Sequence, residues 1–141
     1  MSGRYGTRPS QRALELGDYE EAVALASDAI SANPTSPGAR YDRARAHELL
    51  EAYEDAVTDM LAAVEHNRVD RVIDAFELDD ALFGLLIAAA QHAPARAGKT
   101  LAAYAVAMPE GQHLGEVAAW QRRLLGLQPT LLDKTVPLGR A

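Results

Sequence analysis

The chain has 141 residues, a formal net charge of −6 and no cysteine, which suits about one domain and excludes a disulfide framework or thiolate metal site. Aromatic residues make up 6% against 48% hydrophobic, so the core is built from Ala, Leu and Val and an aromatic-rich β sandwich is excluded. Residues 53–80 carry nine acids (Glu54, Asp55, Asp59, Glu65, Asp70, Asp74, Glu77, Asp79 and Asp80) against Arg68 and Arg71, and an acidic belt of this kind lacks the sustained basic face that nucleic-acid binding needs.

Residues 1–8 read as a flexible arm: they hold Arg4 and Arg8 but no apolar run of a secretory signal. A helix is predicted from Pro9, which is tolerated in a first turn, to Leu16, where Gly17 ends it. Asp18 and Glu21 have the spacing of a capping box for the next helix. That helix should bury Ala22, Leu25, Ala26, Ala29 and Ile30 and stop at Asn33-Pro34. Ser36-Pro37 opens a third helix that runs to about Leu50. A fourth starts near Tyr53 and places Ala56, Val57, Met60, Ala63 and Val64 on one face. Short connections make these helices antiparallel neighbours.

Residues 68–78 form an irregular insertion, with a short helical turn or loop around Val72–Phe76. An apolar helix is expected over 80–92, a turn at Pro94 and a partner helix over 95–107. The run Ala81–Ala90 is too short to span a bilayer, so no membrane association is expected. A last amphipathic helix covers 112–126, with Leu114, Val117, Ala118, Leu124 and Leu125 inward and Arg122 and Arg123 outward. The tail 127–141 has two prolines and no period.

The first half of the chain repeats. Leu16-Gly17-Asp18-Tyr19-Glu20-Glu21-Ala22-Val23 returns 34 residues later as Leu50-Glu51-Ala52-Tyr53-Glu54-Asp55-Ala56-Val57, and Ala29 and Asn33 return as Ala63 and Asn67. A period of 34 is that of stacked helix–turn–helix units. The small residues Ala22, Ala29, Ala44, Ala56 and Ala63, the turn aromatics Tyr19 and Tyr53 and the terminating Pro34 resemble the tetratricopeptide repeat family. The resemblance covers residues 9–67 well and 79–126 loosely. It implies an all-α fold: a short stack of antiparallel helix pairs, two clear and one degenerate, closed by a C-terminal capping helix.

The resemblance also implies a protein-interaction scaffold or adaptor that binds a peptide or helix in a concave groove lined by the first helix of each pair. Carried over, the groove positions are Gln11, Leu14 and Glu15, then Tyr41, Arg45, Glu48 and Leu49. Two departures stand out. Arg40 and Arg43 occupy places where the family has large apolar residues, and the leading helix is cut short by Pro9. The arginines are expected to stay wet beside missing helical turns. The open N-terminal end is expected to be covered by a partner, a second copy or the chain's own tail. Arg40, Arg43 and His47 share a face, so together with Arg45 they offer a basic patch for an acidic peptide, or else they form salt bridges to Glu15, Asp18 or Asp42. Some relatives hold a C-terminal carboxylate at positions equivalent to Thr7, Gln11 and Asp42, and Asp42 is expected to repel that ligand.

Chemistry is thinly represented. Gly98-Lys99-Thr100 loosely matches a phosphate loop, but Pro94 removes a donor and no strand precedes it. His47-Glu48 with Glu51 is half of a zinc-protease helix without its second histidine. Asp79-Asp80 reads as helix N-terminal charge. The expected protein is not an enzyme and has no catalytic residue, metal or cofactor. Its partner is another protein or peptide, or in the alternative a second copy of itself in a self-associating regulatory or assembly subunit. The expected compartment is the cytoplasm, and the excess of Arg over Lys and the abundant Ala fit a GC-rich, bacterial genome.

Overall fold

The computed structural model describes residues 7–125. All regular structure in that range is helical: α1 (Pro9–Glu15), α2 (Tyr19–Ala32), α3 (Pro37–Leu49), α4 (Tyr53–Asn67), α5 (Ala75–His92), a 3₁₀ turn (Pro94–Arg96), α6 (Ala97–Ala107) and α7 (Leu114–Leu125). The chain divides into two compact units, Met1–Leu85 and Leu86–Ala141, and the division falls within α5. The expected tail over 127–141 lies outside the described residues.

In the first unit α3 packs against α2 and α4, and α1 against α2 and α3. The interfaces are tight because the contact positions are small. Ala22, Ala26, Ala44, Ala46, Ala56 and Ala63 are all fully buried. Met60 is buried with them on α4. Leu25 and Ile30 are only half-buried and Ala29 is exposed, so the inward stripe of α2 is narrower than its sequence suggests. In the second unit α6 packs against α7, with Leu101, Tyr104 and Val117 buried. Leu114 is exposed, Leu124 is half-buried, and the side chain of Leu125 lies outside the described residues.

The 34-residue period is also a period of backbone conformation. After α1 the chain enters the left-handed region at Gly17 (φ 81°), and after α3 it does so at Glu51 (φ 63°). Both ends close in the same way. The N–H groups of Gly17 and Asp18 bond to the carbonyls of Leu14 and Ala13, and those of Glu51 and Ala52 bond to Glu48 and His47. This is the left-handed helix cap that usually calls for glycine.

Helix starts are less uniform. Ser36 caps α3 by accepting from the Ala39 N–H at 3.3 Å, as its sequence suggests. Asp18 makes no side-chain cap bond to α2, so the expected capping box does not form. Asp74 accepts from the Phe76 and Glu77 N–H groups at 3.1 and 3.0 Å and starts α5 at Ala75, about one turn earlier than expected. The preceding loop is organised by Asn67, a buried side chain. Its carbonyl accepts from the N–H groups of Val72 and Ile73, both at 3.0 Å, and its amide donates to the Ile73 carbonyl at 2.9 Å.

Candidate functional site

Helix α3 presents two polar faces, and the residues singled out in the sequence divide between them. Tyr41, Arg45 and Glu48 recur at i, i+4 and i+7 on one side. Arg40, Arg43 and His47 lie on another. The structure thus separates the expected basic patch from the expected groove, with Arg45 alone belonging to both.

The second face is an ion network. Arg43 donates from Nε and Nη2 to the two carboxylate oxygens of Asp59 on α4, at 2.7 and 2.9 Å, and from Nη1 to Ser27 Oγ on α2 at 3.0 Å. Arg40 Nη1 is 3.6 Å from Asp59 Oδ1, and His47 Nε2 is 4.0 Å from Asp59 Oδ2. Arg40 also donates from Nη2 to the Pro34 carbonyl at 3.1 Å, while its Nε is buried without an acceptor. Hydrogen bonding to Asp59 holds the Arg43 pKa above its ordinary value, against the opposing effect of burial. Arg40 and Arg43 are half-buried and paired within the chain; they are not the wet arginines expected from the sequence. Their partner is Asp59, not Glu15, Asp18 or Asp42.

Asp42 is engaged elsewhere. Only 1% exposed, it accepts from Arg8 Nε and Nη2 at 2.7 and 3.0 Å and from Ser10 Oγ at 2.7 Å. Those bonds raise the Arg8 pKa. They also fasten α1, seven residues long and too short to persist alone, onto α3. A Cβ at Gly38 would stand 2.9 Å from Arg8 Cδ, so the absence of a side chain there lets Arg8 cross α3. With its charge answered by Arg8, Asp42 is not the free repelling carboxylate expected at that position. Arg8, assigned to the arm in the sequence, is part of the packed unit.

The first face joins α1, α3 and the start of α5. The Tyr41 hydroxyl donates to Glu77 Oε2 on α5 at 3.1 Å and accepts from Arg45 Nη1 at 3.0 Å. The Arg45 guanidinium lies 5.7 Å from the centre of the Tyr41 ring. Burial raises the Tyr41 pKa, Glu77 adds to the rise and Arg45 opposes it. Glu48, half-buried one turn on, has its pKa raised by burial, with Arg45 pulling the other way. Leu49 beside it is 49% exposed. On α1, Gln11 is half-buried and its Oε1 is inaccessible and without a hydrogen-bond donor.

Sequence reasoning missed three members of these clusters: Asp59, Glu77 and Arg8. Asp59 carried a signal, because it stands 34 residues after Leu25. A charge that replaces an apolar repeat position opposite two arginines that do the same is a pair. Glu77 falls within residues 68–78, read from the sequence as an irregular insertion, so the spacing gave no pointer to it.

The family pattern described as "Tetratricopeptide repeat" matches residues 13–77. Residues 13–77 belong to the tetratricopeptide repeat family. Comparison with curated proteins and with solved structures found no match. In the repeat frame, α1 and α3 are the first helices of their pairs and α2 and α4 the second. The face carrying Gln11, Tyr41, Arg45, Glu48 and Leu49 therefore belongs to the first helices, and the Asp59 network lies between first and second helices. Tetratricopeptide repeats generally mediate protein–protein contacts, and the Asp59 network puts charge at a position that the preceding repeat gives to Leu25.

Gly98, Lys99 and Thr100 lie in the first turn of α6, which follows helical structure and not a strand. Among the described residues no group of His, Cys, Asp or Glu is arranged to hold a metal ion, and no helix is long and apolar enough to cross a membrane.

Proposed function

We propose that this protein is a non-enzymatic interaction module whose tetratricopeptide repeats bind a peptide or helix of a partner protein along the face made by α1, α3 and the start of α5. Gln11, Tyr41, Arg45, Glu48 and Leu49 are the contact residues, and Glu77 extends the face. The observation that carries the reading is the Tyr41 hydroxyl, which links Arg45 to Glu77 across two successive first helices and leaves the neighbouring Leu49 open. Residues 79–126 serve as a degenerate third repeat with its capping helix. A cysteine-free chain suits work in the reducing cytoplasm.

The sequence also offered Arg40 and Arg43 as contacts for an acidic peptide. With both directed to Asp59, they act through the scaffold, by holding α3 between α2 and α4, and the contact surface rests on the other five residues.

A photo-crosslinking residue tests the reading when placed at Leu49 or Gln11 and, as a control, at Glu20, exposed on α2. The expected result is a partner protein captured from the first two positions and not from Glu20. Capture of a second copy of this chain from Leu49 would favour the self-associating assembly subunit. Equal capture from all three positions would remove the face from consideration.

A further inference from the structure

Four arginines of the first unit are committed internally, and the Glu48 carboxylate is not. Arg8 is held by Asp42, Arg43 and Arg40 by Asp59, and Arg45 lies on Tyr41. The first-helix face then carries Glu15, Glu48 and Glu77 against Arg45. Arg12 is exposed on α1, about 100° around the helix from Gln11. Glu77 uses Oε2 to accept from Tyr41. Glu48 is half-buried, and its carboxylate accepts no hydrogen bond from any described residue. Gln11 Oε1 is a second acceptor without a donor, fully buried on the neighbouring first helix.

We propose that the segment docking on this face is basic, with a Lys or Arg side chain seated on the Glu48 carboxylate and an apolar side chain on Leu49. The inference rests on the docking face proposed above and names the chemical class of its ligand. A carboxylate partly removed from water and lacking a donor is an unfavourable arrangement in the free protein. A partner's ammonium or guanidinium relieves it with a charge-assisted bond, stronger than a bond between neutral groups. An acidic segment meets three carboxylates on the same face, while the nearby guanidiniums are already engaged, Arg45 with Tyr41 and Arg8 with Asp42. Leu49 and Leu50, 49% and 39% exposed, follow Glu48 directly and supply the apolar contact beside the charge.

The test is a random-peptide display selection on the full chain, with the selected peptides then measured by fluorescence anisotropy. Enrichment of Lys- or Arg-bearing peptides is expected. Their affinity should fall about tenfold or more on Glu48→Gln and weaken with salt, and Glu20→Gln should leave it unchanged. Glu48→Gln removes a charge that burial disfavours, so the variant folds. Acidic or uncharged peptides that lose binding on Leu49→Glu would overturn the basic class and leave the docking face standing. Basic peptides indifferent to Glu48→Gln but sensitive to Leu49→Glu would overturn the seat on Glu48 and leave the docking face standing. Peptides indifferent to both substitutions, or no enrichment, would overturn the docking face and the basic ligand together.

Discussion

Arg43 meets Asp59 with both ends of its guanidinium fork, at 2.7 and 2.9 Å, and Asp59 stands where the repeat period returns to Leu25. The pair is a double replacement of apolar by charged residues across one helix–helix layer. Each half depends on the other, because a buried charge without its partner costs far more than a buried pair. Asp59→Leu alone should therefore lower stability by about 3 kcal/mol, read from the urea midpoint. Asp59→Leu with Arg43→Leu, which restores the apolar repeat, should recover most of that loss. Additive losses in the double-mutant cycle would show that the two residues do not form a unit.

The two left-handed caps make a sharper comparison, because they differ at the residue that takes the positive φ. Gly17 and Glu51 occupy equivalent positions at φ 81° and 63°, and a side chain in that region costs about 1 kcal/mol or more. Glu51→Gly should stabilise the protein by about 0.5–1 kcal/mol. Gly17→Ala should destabilise it by about 1 kcal/mol, even though no atom lies within 4 Å of the added Cβ. Thermal unfolding of the two variants checks the pair of signs; a loss from both would mean that Glu51 makes contacts that outweigh its backbone.

The period of 34 thus exposed what depends on backbone: the helix pairs, their ends and the alanine interfaces. It did not expose what depends on a side chain's partner. Asn33 and Asn67 are equivalent in the repeat, yet Asn33 is exposed and takes part in a local turn with Thr35, while Asn67 is buried and ties down the insertion. The same residue serves two purposes because only the second copy is followed by extra chain. On α3 the family resemblance offered Tyr41, Arg45 and Glu48 as groove positions, and helical spacing puts those three on one side. The counter-charge of the arginine patch was not legible because it lies on another helix, and that of Asp42 because it comes from the arm.

That partner gives a local prediction. Arg8→Ala should leave the Asp42 carboxylate buried with only Ser10 to bond it, at a cost of about 2–3 kcal/mol. The loss should concentrate in α1, since the short helix has few other ties. Hydrogen exchange should quicken across Pro9–Leu16 while α3 and α4 keep their protection. Gly38→Ala should produce a milder version by pushing Arg8 off its path. Uniform acceleration across all four helices would show that Arg8 is not a local fastener.

Glu48 links stability to pH with a sign opposite to that of an ordinary paired carboxylate. Burial raises its pKa in the folded protein above the usual 4.5, so folding favours the protonated acid. The favourable contribution is complete below the unfolded value and is lost as pH rises through the folded value. Glu48→Gln mimics the protonated acid at every pH. The variant should match the parent near pH 4 and exceed it at pH 7, and the gap should open between those limits in paired urea titrations. A gap of the same size at both pH values would show that the Glu48 carboxylate is well solvated in the free protein, and would remove the physical reason for a partner's cation to seek it.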